Sequence, residues 1–122
     1  MTDTIELIDK TLAELKKAGG VEACAAVSRD GLLIRSSLQK EKFAESFAAM
    51  SATMLGAAET ASTELGKGVP NRVIVESSEG RLIAVGAGRK ALLVVIVSQD
   101  AGLGLILLEL DKAAISLKEL LE

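Results

Sequence analysis

The chain has 122 residues, of which 49% are hydrophobic and 25% charged, with a formal net charge of −3 at pH 7. This composition fits one globular domain over residues 1–122 and excludes an intrinsically disordered chain. Histidine is absent and cysteine occurs once, which excludes the commonest general base, the commonest metal ligand and an intramolecular disulfide.

The first predicted element is an amphipathic helix from about Asp3 to Lys17. Thr2 or Asp3 is the expected N-cap, and the pair Gly19-Gly20 ends the helix. The apolar residues that recur at helical spacing are Ile5, Ile8, Leu12 and Leu15.

A hairpin is predicted next, with strands over 21–29 and 32–37. Asp30-Gly31 forms its turn, because this residue pair tolerates positive φ. The first strand has small residues on both faces, which favours close packing of helices on each side. One face is predicted to carry Val21, Ala23, Ala25 and Val27, and the other Cys24 and Ala26.

The longest predicted helix runs from about Glu41 to Leu65 and has no charged residue between Glu45 and Glu59. A helix with one wet face normally carries charges there, so this section is expected to be covered on two sides, by the sheet and by a second copy of the helix. A monomer with an alanine-rich surface is the alternative. Two apolar stripes run along it: Phe43, Phe47, Met50, Met54, Ala57 and Ala61, beside Ala44, Ala48, Ser51, Leu55, Ala58 and Ser62.

Three strands and a helix complete the chain. The strand over 72–78 follows Pro70 and is half polar, which is typical of a sheet edge. Strands over 82–88 and 92–97 follow, the last apolar on both faces and therefore central. Asp100 is the expected cap of the final helix. Its core stripe is Leu103, Ile106, Leu107, Leu110, Ala114, Leu117 and Leu121.

Candidate chemistry is scarce throughout the sequence. Cys24 lies in a predicted buried strand and has no histidine to activate it, so a core role is expected. The basic residues are scattered and aromatic residues make up 2%, which argues against nucleic-acid binding. The apolar run over 91–108 is interrupted by a polar segment with Asp100 and Gly102, so a strand, turn and helix explain it better than a membrane span. With no signal peptide or disulfide, the expected location is the cytoplasm.

The order of elements, the hairpin VSRDGLLIRSS, the helix FAAMSATMLGAAETASTELG and the meander VIVESSEGRLIAVGAGRKALLVVIV together resemble the roadblock family of dynein light-chain and GTPase-regulator domains. The resemblance covers essentially the whole chain. It implies an α+β, profilin-like architecture, in which a five-stranded antiparallel sheet is sandwiched by helices in the order helix-strand-strand-helix-strand-strand-strand-helix.

The resemblance also implies a function. Roadblock domains dimerise through the long helix and the edge strand after it, and prokaryotic members resemble regulators or platforms of small Ras-like GTPases. Such regulation repositions the GTPase's own residues, so neither a catalytic group nor a cofactor is expected here. No arginine of the sequence is singled out as an arginine finger. The residues expected at a homodimer interface are Phe47, Ala48, Met50, Ser51, Met54, Leu55, Arg72, Val73 and Val75.

Two alternatives remain at this stage. One is a light-chain-like structural adaptor that holds a larger complex together without regard to nucleotide. The other is a small-ligand sensor, which requires a cavity between sheet and helix.

Overall fold

The computed structural model describes residues 3–37 and 41–122, with the backbone alone for residues 41–43. These residues form three helices and five strands. In chain order they are α1 (Thr4–Lys16), β1 (Val21–Ser28), β2 (Leu33–Ser36), α2 (Glu41–Glu64), β3 (Arg72–Ser77), β4 (Gly80–Ala87), β5 (Ala91–Val97) and α3 (Leu103–Leu121).

The strands form one antiparallel sheet in the order β2-β1-β5-β4-β3. β5 is central, as its apolar sequence predicts, and β2 and β3 are the two edges. β3 pairs with β4 alone in the described chain, in a register that sets Ile74 opposite Ile83. The strand after Pro70 is therefore an edge strand, and its outer side is open.

Helices α1 and α3 cover one face of the sheet. α1 lies over β1 and β2, and α3 lies over β4 and β5. Asp3 is the N-cap of α1 and accepts a hydrogen bond from the Ile5 N–H, one of the two caps that the sequence offers. The larger apolar cluster lies beneath these helices and includes Ile8, Leu12, Leu15, Ile83, Leu93, Val95, Ile106, Leu110 and Leu117.

Helix α2 covers the opposite face alone. The cluster beneath it is smaller and consists of Ala25, Val27, Ala48, Leu55, Ala84, Leu92 and Val94, with partly buried side chains around it. Small residues on both β1 and α2 allow the helix to approach the sheet closely, but they bury little apolar surface. α2 is therefore held to the sheet mainly by a narrow stripe of side chains.

Two local predictions are wrong. Val21 belongs to the cluster with Cys24 and Ala26, because the pairing of β1 with β5 is irregular between Val21 and Ala23, and such a bulge moves the preceding residue to the other face. Asp100 does not cap α3, since the N-cap is Gly102 and makes no side-chain cap hydrogen bond. The Phe43 side chain and Thr2 lie outside the described residues.

Candidate functional site

Groups that could carry chemistry are not clustered in the part of the chain that the structure describes. It contains no set of three or more His, Cys, Asp or Glu side chains arranged to hold a metal ion. The Cys24 thiol is buried and donates a 3.4 Å hydrogen bond to the Leu12 carbonyl. Burial raises the pKa of this thiol, which disfavours the reactive thiolate.

One flank of α2 points toward the β3 edge. The opposite flank, which carries Ala49 and Ala52, lies against Gly31 of the hairpin and therefore faces β2. The residues on the flank toward β3 include Met50, which is 62% exposed. The α2–β3 surface consists of this flank and the neighbouring side of β3: Phe47, Met50, Met54, Val73 and Val75.

Five of the nine residues predicted at an interface are thus brought together on one surface. Three others, Ala48, Ser51 and Leu55, are at most 1% exposed because they pack against the sheet of their own chain. The Ser51 hydroxyl is buried there without a hydrogen-bond partner among the described residues. Whether the nine residues contact a partner stays a prediction; in the single chain, these three support the helix from below.

The ninth residue, Arg72, lies on the opposite face of β3. It pairs with Val85 of the larger cluster, and one guanidinium nitrogen contacts both carboxylate oxygens of Asp111 on α3, at 3.2 and 3.0 Å. Ile74 lies on the same face and is 37% exposed. No β3 side chain belongs to the described cluster beneath α1 and α3; on this face Arg72 reaches α3, and Ile74 is left exposed.

Sequence reasoning missed a clamp between the sheet and α2. The two Nη atoms of Arg29 donate to Glu59 of α2 and to the Gly88 carbonyl, each at 2.9 Å. The guanidinium crosses the sheet where Gly86 leaves room, since a Cβ on Gly86 would lie 2.6 Å from Arg29 Nη2. The signal available in the sequence was a glycine inside an otherwise well-formed strand.

A second missed feature is an exposed apolar stripe on α3. The predicted core stripe is buried or partly buried, but Leu105, Leu108 and Ile115 are 60%, 52% and 60% exposed. Their spacing of three and seven residues places them together on the outer side of the helix. Because Asp111 faces β3, Leu108 and Ile115, three before and four after it, lean toward the β3 edge.

The model of the Roadblock/LC7 domain family matches residues 7–97. The uncharacterized protein MJ0310 of Methanocaldococcus jannaschii is 36% identical over 112 residues, which cover 92% of this chain and 97% of that protein. No helix of the described residues is long and apolar enough to cross a membrane.

Two solved structures share the architecture. MglB of Myxococcus xanthus is 25% identical, with 92% of each chain covered and a TM-score of 0.84. A Roadblock/LC7 domain from Streptomyces avermitilis is 20% identical, with 91% of this chain and 94% of that chain covered and a TM-score of 0.86. The predicted α+β fold, with its five-stranded antiparallel sheet and element order, is confirmed.

Proposed function

This chain belongs to the Roadblock/LC7 family, and we propose that it is a non-enzymatic, cytoplasmic homodimer that binds a small Ras-like GTPase and regulates or localises it. The observation that supports this most strongly is the apolar α2 flank beside the open edge of β3. Exposed apolar surface next to unpaired strand hydrogen-bonding groups is where a protein chain adds to a sheet.

The sequence of β3 suits pairing with its own copy. The segment is symmetric about Ile74: a valine lies on each side of it, and beyond the valines are the oppositely charged Arg72 and Glu76. In an antiparallel pair centred on Ile74, Val73 lies opposite Val75 of the copy and Arg72 lies opposite Glu76. Every cross-strand pair is then favourable, apolar with apolar and cation with anion. Shifting the centre to Val73 or Val75 would oppose Ile74 to a charged residue.

The same pairing would bring the two α2 flanks together across the seam. Met50 of each chain then lies near the two-fold axis, beside Phe47 and Met54. This arrangement would cover the charge-free side of α2, which is the side that the single chain leaves open. A dimer built on the α2–β3 surface therefore accounts for both the exposed methionine and the absence of charge.

The proposal assigns the chemistry to the GTPase. The structure gives Arg29, Arg35 and Arg72 carboxylate partners within the chain, in Glu59, Asp9 and Asp111. These three of the five arginines are held by contacts within the chain, so we expect regulation to act by contact with the GTPase that shifts its switch segments, with no arginine supplied by these three.

A capture experiment tests the proposal. The tagged chain is incubated with lysate of the source organism in GDP and in a non-hydrolysable GTP analogue, and bound proteins are identified. We expect a small GTPase that is enriched in one nucleotide state. Capture that is indifferent to nucleotide would instead support the structural adaptor, and retention of a small ligand in native mass spectrometry would support the sensor.

The dimer is tested separately by light scattering at micromolar concentration. Met50→Glu places a charge at the proposed seam and is expected to give a monomer. Thr53→Glu is the matched control, because Thr53 is exposed on the same helix outside the α2–β3 surface. Equal masses for both variants would count against this surface.

A further inference from the structure

On the side of the sheet away from α2, the surface of β3 around Ile74 is exposed. α3 lies over β4 and β5, so β3 extends beyond the helix layer. Ile74 forms the exposed apolar floor there, and the α3 wall beside it carries Leu108 and Ile115. At the junction of the wall with β4, a depression of about 460 Å³ has a mixed lining, in which Val85, Gly86, Ala114 and Ile115 lie beside the polar residues Asn71, Arg72 and Asp111.

If β3 paired with its copy, the two exposed β3 surfaces would form the floor of one trough, and the two α3 helices would form its walls. The centre of each α3 lies about one and a half strand spacings from β3, so the two helix axes would be about four spacings, or about 19 Å, apart. Helices pack at about 8–10 Å between axes. The gap therefore matches one additional helix lying between the two α3 helices, and a strand would leave it partly empty.

The charges on the trough also define the occupant. On each wall, Asp111 is the carboxylate that faces β3, and it is neutralised by Arg72 at 3.0 Å. In the proposed register, Glu76 of one chain faces Arg72 of the other. Glu76 also lies opposite Arg81 of its own chain, so each chain places two arginines and two carboxylates here, and their charges balance. The exposed aliphatic side chains beside them are Ile74, Leu108 and Ile115. A complementary surface is therefore apolar where it contacts these three side chains and needs no net charge of its own.

We propose that this trough is the docking site of one amphipathic α-helix from a partner protein, with aliphatic residues on its buried face. The inference rests on the homodimer of the proposed function. Because the trough lies on the two-fold axis, a single helix occupies it, and the stoichiometry is one helix per two chains. The helix contacts both chains, so its binding stabilises the dimer.

The probe is a stapled, fluorescein-labelled peptide of about 18 residues, long enough to span the trough as a helix. It contains leucine, alanine and lysine, with the leucines on one helical face. A control peptide has the same composition and dispersed leucines. Fluorescence anisotropy measures binding to the full chain, and light scattering reports the oligomeric state of the same samples.

We expect the amphipathic peptide to bind one per dimer, and Leu108→Glu or Ile115→Glu to weaken binding roughly tenfold or more by placing a charge on the apolar wall. Leu105→Glu is the matched control, because Leu105 is similarly exposed but, six residues before Asp111, lies about 120° around the helix from the side that faces β3. All three positions are exposed, so the variants are expected to fold.

The outcomes separate the two proposals. A dimer that fails to bind the amphipathic peptide, or binds the control peptide equally, overturns the trough and leaves the dimer intact. Equal losses from Leu105→Glu and Leu108→Glu also overturn it. A chain that is monomeric at micromolar concentration overturns both the dimer and the trough.

Discussion

The charge pattern of β3 gives a sharp test of the dimer. In the proposed register, Arg72 lies opposite Glu76 of the copy, and the two-fold axis repeats this pair. An opposed pair of opposite charges contributes about 0.2–1 kcal/mol, and like charges destabilise by a similar amount. Glu76→Arg replaces attraction by repulsion at both positions, so it is expected to cost about 1–4 kcal/mol of dimerisation free energy. The dissociation constant then rises at least about fivefold.

Sedimentation equilibrium at low ionic strength measures this constant for Glu76→Arg, for Arg72→Glu and for their equimolar mixture. Each variant alone repels itself, but the heterodimer restores both opposite-charge pairs, so the mixture is expected to associate more tightly than either variant. Glu79→Arg is the matched control, since it makes the same charge change in the turn beyond β3. Loss of the contact with Asp111 affects Arg72→Glu alone and cannot produce recovery in the mixture.

Two results would refute the reasoning. An unchanged dissociation constant for Glu76→Arg would show that β3 is not at the interface. A mixture no tighter than its components would show that the two residues do not oppose each other, and would exclude the register centred on Ile74.

Other expectations concern stability, measured as the free energy of unfolding in urea. Ser51→Ala removes a buried hydroxyl that has no hydrogen-bond partner among the described residues, and it is expected to stabilise the fold by about 1 kcal/mol. A lower stability than the wild type would indicate that the hydroxyl is hydrogen-bonded. Gly86→Ala places a Cβ 2.6 Å from Arg29 Nη2, the nitrogen that donates to the Gly88 carbonyl, and loss of this hydrogen bond is expected to cost about 1 kcal/mol. An equal loss when Gly86→Ala is introduced into Arg29→Ala would contradict this cause. Burial raises the pKa of the Cys24 thiol, so its contribution to the free energy of unfolding is complete below about pH 8.5 and is lost as the pH rises through the folded pKa. The wild type should therefore lose more stability than Cys24→Ala at alkaline pH. Parallel curves of stability against pH would contradict this.

The element order was predictable because each segment carries its own periodicity and stop signals. Gly31 adopts φ of 91° at the predicted hairpin turn, and the apolar sequence of β5 indicated its central place. Such features depend on neighbours in the sequence. The helical spacing of apolar residues also sufficed to predict that Ile106, Leu110 and Leu117 of the last helix are buried.

What the sequence could not supply depends on contacts between distant segments. It could not show which α2 stripe faces the sheet, since both stripes are apolar and only the packing against Val27 and Leu92 selects the one with Leu55. The bulge near Val21 and the contact of Arg29 with Glu59 likewise arise from strand and helix placement. For the same reason, the structure was needed to define which side chains of the predicted interface remain accessible.

The most direct test of the central claim is the affinity of the purified chain for the captured GTPase in its two nucleotide states. The GTPase is loaded with GDP or with a non-hydrolysable GTP analogue and titrated onto the dimer, with isothermal calorimetry as the readout. A regulator distinguishes the two states, so we expect dissociation constants that differ by about tenfold or more, a coupling of about 1.4 kcal/mol. Equal dissociation constants would contradict regulation and identify the chain as a structural adaptor.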